Sequence, residues 1–169
     1  VEETFWREPR RSNGYIEGKK MTFIDTDIFV IDKLFPKDDR HEINKAFLNE
    51  AEEKFTSVFN LFELLGIASF NLNGVELLKL FKGFEEVYGL KILYPSTAFI
   101  SVNEFVETLF EETFQKIKLR LNFQDALILV VAEQHHCTRF VTWNTKHFID
   151  RTYLNVQTPK EFLGLELRE

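Results

Sequence analysis

Apolar and polar positions fall into blocks along this chain, and each block has its own period. "TFIDTDIFVI", Thr22 to Ile31, opens as an apolar strand and is expected to turn into a short helix after Asp25. Residues 39–53 read as a polar helix. "TSVFNLFELLGIASF", Thr56 to Phe70, is apolar almost all round and predicts a buried helix. Gly74 to Tyr88 suggests another helix. "LKILYP", Leu90 to Pro95, is expected to be a short buried strand stopped by proline. A long helical run follows, opened by Ser96 or Thr97 and reaching about Leu121, and "NFQDALILVVAEQHH" is a further helix. "TRFVTW", Thr138 to Trp143, and "LNVQTP", Leu154 to Pro159, are the last expected strands, and "KEFLGL" closes the domain. Strands separated by helices imply an α/β fold, a parallel sheet with helices on both faces. Ligands of such sheets bind beyond the carboxyl ends of the strands, which is where Asp25 falls.

Residues 1–20 differ from the rest. They are polar, hold Pro9, Gly14 and Gly18, and carry no apolar period. They read as an N-terminal extension to a domain spanning residues 21–169, with Phe5, Trp6, Tyr15 and Ile16 as its expected anchors on the body or on a neighbouring chain.

Within these apolar blocks stand three misplaced acids. Asp25 follows Phe23 and Ile24 on a strand. Glu63 has Phe59 and Ile67 at i−4 and i+4, so it interrupts an apolar stripe. Asp125 has Leu121, Ile128 and Leu129 at i−4, i+3 and i+4. An ionised carboxylate costs several kcal/mol to bury unless something pairs with it. Brought together, the three would repel one another and raise each other's pKa. A hard divalent cation with a preference for oxygen ligands resolves this, so the residues point to a carboxylate-rich Mg²⁺ or Mn²⁺ site. Each acid also has a plainer reading. Asp25 or Asp27 suits a helix cap, Asp125 a capping pair with Asn122, and Glu63 a side chain leaning into solvent.

Composition narrows the field further. The chain has 169 residues, 44% apolar with 19 Phe, enough to fill the core of one domain. A formal charge of −6 argues against a protein that coats nucleic acid, but not against a nuclease whose acidic centre is neutralised by metal. The lone cysteine, Cys137, cannot form an internal disulfide, which fits a reducing, cytoplasmic setting. No apolar run approaches the roughly 20 residues that span a bilayer, and residues 1–20 lack the apolar core of a signal peptide, so no membrane association is expected. "HHC", His135 to Cys137, suggests zinc, but no second ligand cluster matches it. "DTDIF" has the look of a haloacid-dehalogenase aspartate motif, yet Phe29 stands where that motif expects Thr or Val. No GxxxxGK[ST], GxSxG or HExxH occurs.

Four pieces, taken in order, resemble one known family. "FIDTDIFVID" is similar to the opening strand of PIN-domain ribonucleases, whose first metal-site aspartate would be Asp25. "TSVFNLFELLG" resembles the family's helix with its Glu, here Glu63. "DALILVVAEQHHCTRFVTWNTKHF" resembles the segment that begins with the third acid, here Asp125, and runs to a strand ending in Thr142. "TPKEFL" resembles the end of the domain. The likeness covers roughly Met21 to Leu163, and the branch it looks most like is the VapC-type toxin ribonuclease. It implies a three-layer α/β/α PIN-like fold. The family often has a fourth acid where "TWNTKHF" places Asn144.

The resemblance implies metal-assisted hydrolysis of RNA phosphodiesters with Mg²⁺ or Mn²⁺. Asp25 and Asp125 would be the principal ligands and Glu63 a ligand directly or through water. Thr26, Thr142 and Asn144 would support them, and Asp27 would cap the following helix. Lys116 and Arg120, at i,i+4, and Lys146 and His147 are the candidate RNA contacts; a solvated face balanced by Glu111 and Glu112 is the plainer reading of the first two. An antitoxin protein and a second copy of the chain are the implied partners. Two other readings stand beside the toxin: an RNA-processing PIN nuclease without antitoxin, and a non-catalytic RNA- or protein-binding module, which Asn144 keeps open.

Overall fold

The structure is a computed structural model, described here over residues 20–96 and 101–165. Among these residues five strands form one sheet: β1 (Thr22–Ile24), β2 (Lys54–Ser57), β3 (Lys91–Leu93), β4 (Arg139–Val141) and β5 (Asn155–Gln157). Their order is β3-β2-β1-β4-β5, and every pairing is parallel. Helices α1 (Thr26–Leu34) and α2 (His41–Glu50) link β1 to β2, and α3 (Val58–Ala68) and α4 (Gly74–Tyr88) link β2 to β3. Helices α5 (Val102–Lys118) and α6 (Phe123–Gln134) carry the chain back across to β4, α7 (Thr145–Phe148) joins β4 to β5, and α8 (Pro159–Phe162) follows. This is the expected three-layer α/β/α arrangement.

Strand pleating divides the core. Phe23 of β1 and Phe140 of β4 stack at 5.2 Å on one face, where they meet Ile128 and Leu129 of α6. Ile24 and Val141, one residue on, point to the other face and join Ile28 and Phe29 of α1 and Leu61 and Leu64 of α3. The first three strands grow outward from β1 on one side, and β4 and β5 lie on the other. The order therefore reverses between β1 and β4, and the crevice at their carboxyl ends is the place where such sheets bind ligands.

The apolar pattern misled in five places. Strand β2 was not expected, because four residues are too few to set a period and its last two, Thr56 and Ser57, read as the start of the next helix. That helix begins at Val58 under a Ser57 cap and buries one face only: Phe62 is 59% exposed, and Phe70 beyond its end is 90% exposed. Strand β3 is an edge strand with Lys91 in solvent rather than a buried one. Helix α5 is capped by Ser101, not Ser96, whose N–H instead donates to Gln134; Thr97 lies outside the described residues, as do residues 1–19 of the N-terminal extension. The four-residue α7 was also unforeseen.

Candidate active site

Asp25 comes directly after β1 and, at φ −78° and ψ 161°, caps α1, with Oδ1 accepting the Thr26 N–H at 2.8 Å. An acid is favoured there by the positive end of the helix. It is nonetheless only 7% exposed. Two side chains hold it. Asn60 of α3 donates to its Oδ1 at 3.3 Å and Thr142, just past β4, donates toward its Oδ2 at 2.8 Å. Asn60 also donates to the Thr26 hydroxyl at 2.9 Å, and that hydroxyl in turn bonds the Glu63 carboxylate. Asn60 and Glu63 lie one turn apart on α3, so the same helix face reaches the start of α1 twice.

Thr142 serves two masters. Its Oγ lies 2.8 Å from Asp25 Oδ2 and 3.0 Å from Asp27 Oδ2, while accepting the Asn144 N–H at 3.0 Å. A hydroxyl has one proton to give. The second carboxyl contact is a hydrogen bond only if one of the two acids keeps its own proton. The electrostatics agree. Burial raises Asp25 well above the usual carboxylate range, and the charges of Asp27 and then Glu63 push it further, against the Thr142 and Thr26 hydrogen bonds. Burial likewise lifts Asp27 to about 6. Asp27 does not cap α1, as expected of it; Asp25 does. The Oδ2 of Asp27 takes the Trp143 N–H at 2.8 Å, tying α1 to the end of β4, and its buried Oδ1 has no hydrogen-bond partner among the described residues.

Asp125 sits in the first turn of α6, 18% exposed, in a reciprocal pair with its cap Asn122: the Asp125 N–H donates to Asn122 Oδ1, and Asn122 Nδ2 donates to Asp125 Oδ2, both at 2.8 Å. Burial raises its pKa, while His147, whose Nδ1 is 3.3 Å from Oδ2, Asn122 and Arg151 restrain the rise. Glu63 is raised by burial and by the charge of Asp125, against its bond from Thr26. Asp25 thus feels Glu63, and Glu63 feels Asp125. The capping readings of Asp25 and Asp125 are both realised, and they position the acids rather than dispose of them.

Asn144 stands at the N-cap of α7, exposed and without a side-chain cap bond. His147 and Lys146 lie on the same short helix, with His147 against Asp125. Lys116 and Arg120 do not form the shared face expected of them. Helix α5 ends at Lys118, and Arg120 sits in the turn beyond at φ 67°. The Lys116 ammonium is drawn inward to Glu133 at 2.6 Å and to the Arg151 carbonyl at 3.4 Å. Two contributors were not foreseen. Asn60 could have been found by the criterion that found Glu63, a polar residue inside an apolar run. Arg151, which binds the carbonyls of Lys146 and His147, carries no local signal.

The carboxylates facing this crevice offer oxygen ligands, as a hard cation prefers, and burial raises the pKa of Asp25, Glu63 and Asp125. In chemistry they fit Mg²⁺ or Mn²⁺. Among the described residues no three His, Cys, Asp or Glu side chains stand close enough to hold one ion together. Asp25 is held by the Asn60 and Thr142 side chains and the Thr26 N–H, and Asp125 by Asn122 with His147 beside it.

The PIN domain family model matches residues 22–153. No curated protein matches the sequence. Solved structures of similar fold include the VapBC2 complex of Rickettsia felis bound to a DNA fragment from its promoter, at 18% identity and TM-score 0.59 over 82% of this chain and 98% of that one. Another is VapBC-1 of nontypeable Haemophilus influenzae, at 17% and 0.58 over 83% and 98%. A third is VapC20 of Mycobacterium tuberculosis, a sarcin–ricin-loop-cleaving toxin, at 14% and 0.54 over 70% and 86%. At these identities the likeness is one of fold. The family model spans strands β1 to β4, the capped acids and the switch-point crevice, and this chain belongs to the PIN domain family.

Proposed function

We propose that this protein is a metal-dependent endoribonuclease, the toxin of a toxin–antitoxin pair. The observation that carries the reading is the set of carboxylates at the β1/β4 switch point whose pKa values are raised by burial and by one another. Asp25 and Asp125 hold Mg²⁺ or Mn²⁺, and Glu63 joins them directly or through water. The ion, when bound, supplies a polarised phosphate and a water acidified for in-line attack. Asn60, Thr26 and Thr142 keep the carboxylates aimed. His147 and Lys146, at the rim, offer donors to RNA phosphates. A toxin–antitoxin complex from Klebsiella pneumoniae has a similar fold, which supports an antitoxin partner. An apolar groove beside Glu63, lined by Phe62, Ile67, Phe70 and Phe123, supports a protein partner, antitoxin or second copy. No helix among the described residues is long and apolar enough to cross a membrane.

The test is cleavage of single-stranded RNA with Mg²⁺ or Mn²⁺ against chelator. Cleavage by wild type and none by Asp125→Asn is the expected result. Failure of wild type to cleave, with no metal bound in titration, would favour the non-catalytic module that Asn144, in place of a fourth acid, leaves open. Metal-dependent cleavage without any small partner encoded beside the toxin would favour the RNA-processing nuclease.

A further inference from the structure

Beside Asn144 lies a second cleft, of about 340 Å³, lined by Asp27, Val30, Phe35, Asp38, Arg40 and Trp143 among others. That volume is within the roughly 300–1,000 Å³ of small-ligand sites. Asp27 and the Asn144 N–H both meet the Thr142 hydroxyl that contacts Asp25, so the cleft adjoins the candidate active site.

Its polar wall is held in place. The Arg40 guanidinium lies over the Trp143 ring, 5.7 Å from its centroid. Nε and Nη2 of Arg40 donate to the two carboxylate oxygens of Asp38 at 2.9 and 2.8 Å, which sets the plane of the group. The Trp143 indole N–H donates to Asn44 at 2.7 Å, and buried Asn44 donates to the Ile28 carbonyl at 2.8 Å. Arg40 remains 46% exposed, so the guanidinium face turned away from the indole is available. Phe35, 53% exposed, adds an apolar wall. Because Asp38 already neutralises Arg40, what the cleft offers is a fixed, flat, delocalised surface more than a free charge.

We propose that this cleft is a base subsite: one unpaired nucleobase beside the scissile phosphate enters it and stacks on the Arg40–Trp143 pair. Single-stranded RNA is read in this way, by bases splayed onto aromatic rings and guanidinium planes. Continuity with the crevice through Asn144 favours the substrate strand over a protein segment as the occupant. The inference rests on the ribonuclease reading and gives it a source of sequence preference.

The experiment uses the full chain with Mn²⁺ and a pool of single-stranded RNA of randomised sequence, with the cut ends sequenced. Wild type is expected to prefer particular bases at one position next to the cut. Arg40→Ala should flatten that preference about tenfold, in line with the loss of one base stack. Arg40→Lys keeps the charge and removes the plane, so it should flatten the preference as much as alanine does. Melting curves of both variants establish that they fold. If both variants cut with wild-type preference, the inference is wrong although the ribonuclease reading survives. If lysine restores the preference, Arg40 acts as a charge and the stacking site is refuted. If wild type does not cut RNA at all, both readings fall.

Discussion

Asp27 and Asp38 line one cleft and are both half-buried, yet their electrostatics are opposite. Asp38 is gripped by Arg40, whose side-chain hydrogen bonds hold its carboxyl well below the usual range. Asp27 lies beside Asp25, with one hydroxyl between the two acids, and burial of its carboxyl lifts it to about 6. The first acid has its cation built into the chain. The second pair is not paired in this way: Asp27 feels the same Arg40 only as the weakest of its influences, although the fold spends hydrogen bonds from Thr142, Trp143 and Asn60 on keeping the pair in place. An acid that the protein aims but does not neutralise is suited to a cation from outside. An acid that the protein neutralises can only shape the surface.

The largest effect expected from this contrast is on chemistry. Asp25→Asn and Asp125→Asn should each abolish RNA cleavage, since each removes a ligand charge and almost no volume. Asp38→Asn should cost no more than about tenfold, the scale of one base stack. Cleavage assays at saturating Mn²⁺ compare the three, and normal activity in either of the first two would break the site assignment.

Next in size is the support beneath Asp25. Asn60→Ala removes donors to Asp25 and Thr26 and leaves the buried Ser57 N–H without its acceptor, a cost of about 1–3 kcal/mol. Denaturant melts should register this together with weakened Mn²⁺ binding by titration. Wild-type metal affinity in a folded Asn60→Ala protein would show that Asn60 only staples α3 to α1.

Without metal, Asp25→Asn should instead stabilise. The amide keeps the cap and the Thr142 contact and removes repulsion with Asp27. A gain of about 1 kcal/mol would raise the melting temperature by roughly 2–4 °C for a chain of this size. Mn²⁺ at about 100 times its dissociation constant should add about 2.7 kcal/mol to wild type and much less to the variant. A variant that is less stable without metal and gains as much from it would make Asp25 a cap and nothing more.

The two acids should also differ in sign with pH. For Asp27 the folded-state value, about 6, lies above its ordinary 3.8. Its contribution is therefore fully present below about pH 4 and is lost as pH rises through 6. Asp38 is lowered, so its contribution is present above about pH 4 and disappears in stronger acid. Melting of the metal-free protein from pH 4 to 7 should show stability declining with pH. Asp27→Asn should flatten that slope, and Asp38→Asn should leave it unchanged between pH 5 and 7. The smallest effect expected is that of Asn144→Asp, which adds a charge at an exposed rim and should keep or modestly raise Mn²⁺-dependent cleavage. A large loss would mean that the Asn144 amide contacts the substrate itself.

Much of this protein was legible before any fold was known. Asp25, Glu63 and Asp125 stood out because a carboxylate inside an apolar period needs a reason, and local period is a property of the chain alone. Helix α4 was evident from a 3.6-residue period along Gly74–Tyr88, and α6 from the length of its continuous apolar run. The order of strands and helices, and hence the parallel three-layer plan, followed from that punctuation. What the chain alone could not announce was anything settled by contacts between distant segments. Strand β2 is a strand because β1 and β3 flank it with open hydrogen-bonding edges. Lys116 turned inward because Glu133 on α6 waited there. Asp27 lost the capping role to Asp25 because the end of β4 brought it the Trp143 N–H. The cleft of Arg40 and Trp143 likewise exists only where the loop after α1 meets the end of β4. Sequence by itself determined which residues are costly to bury; the tertiary structure decided which neighbours share that cost, because hydrogen bonds and charges act over a few ångströms of space, whatever the distance along the chain.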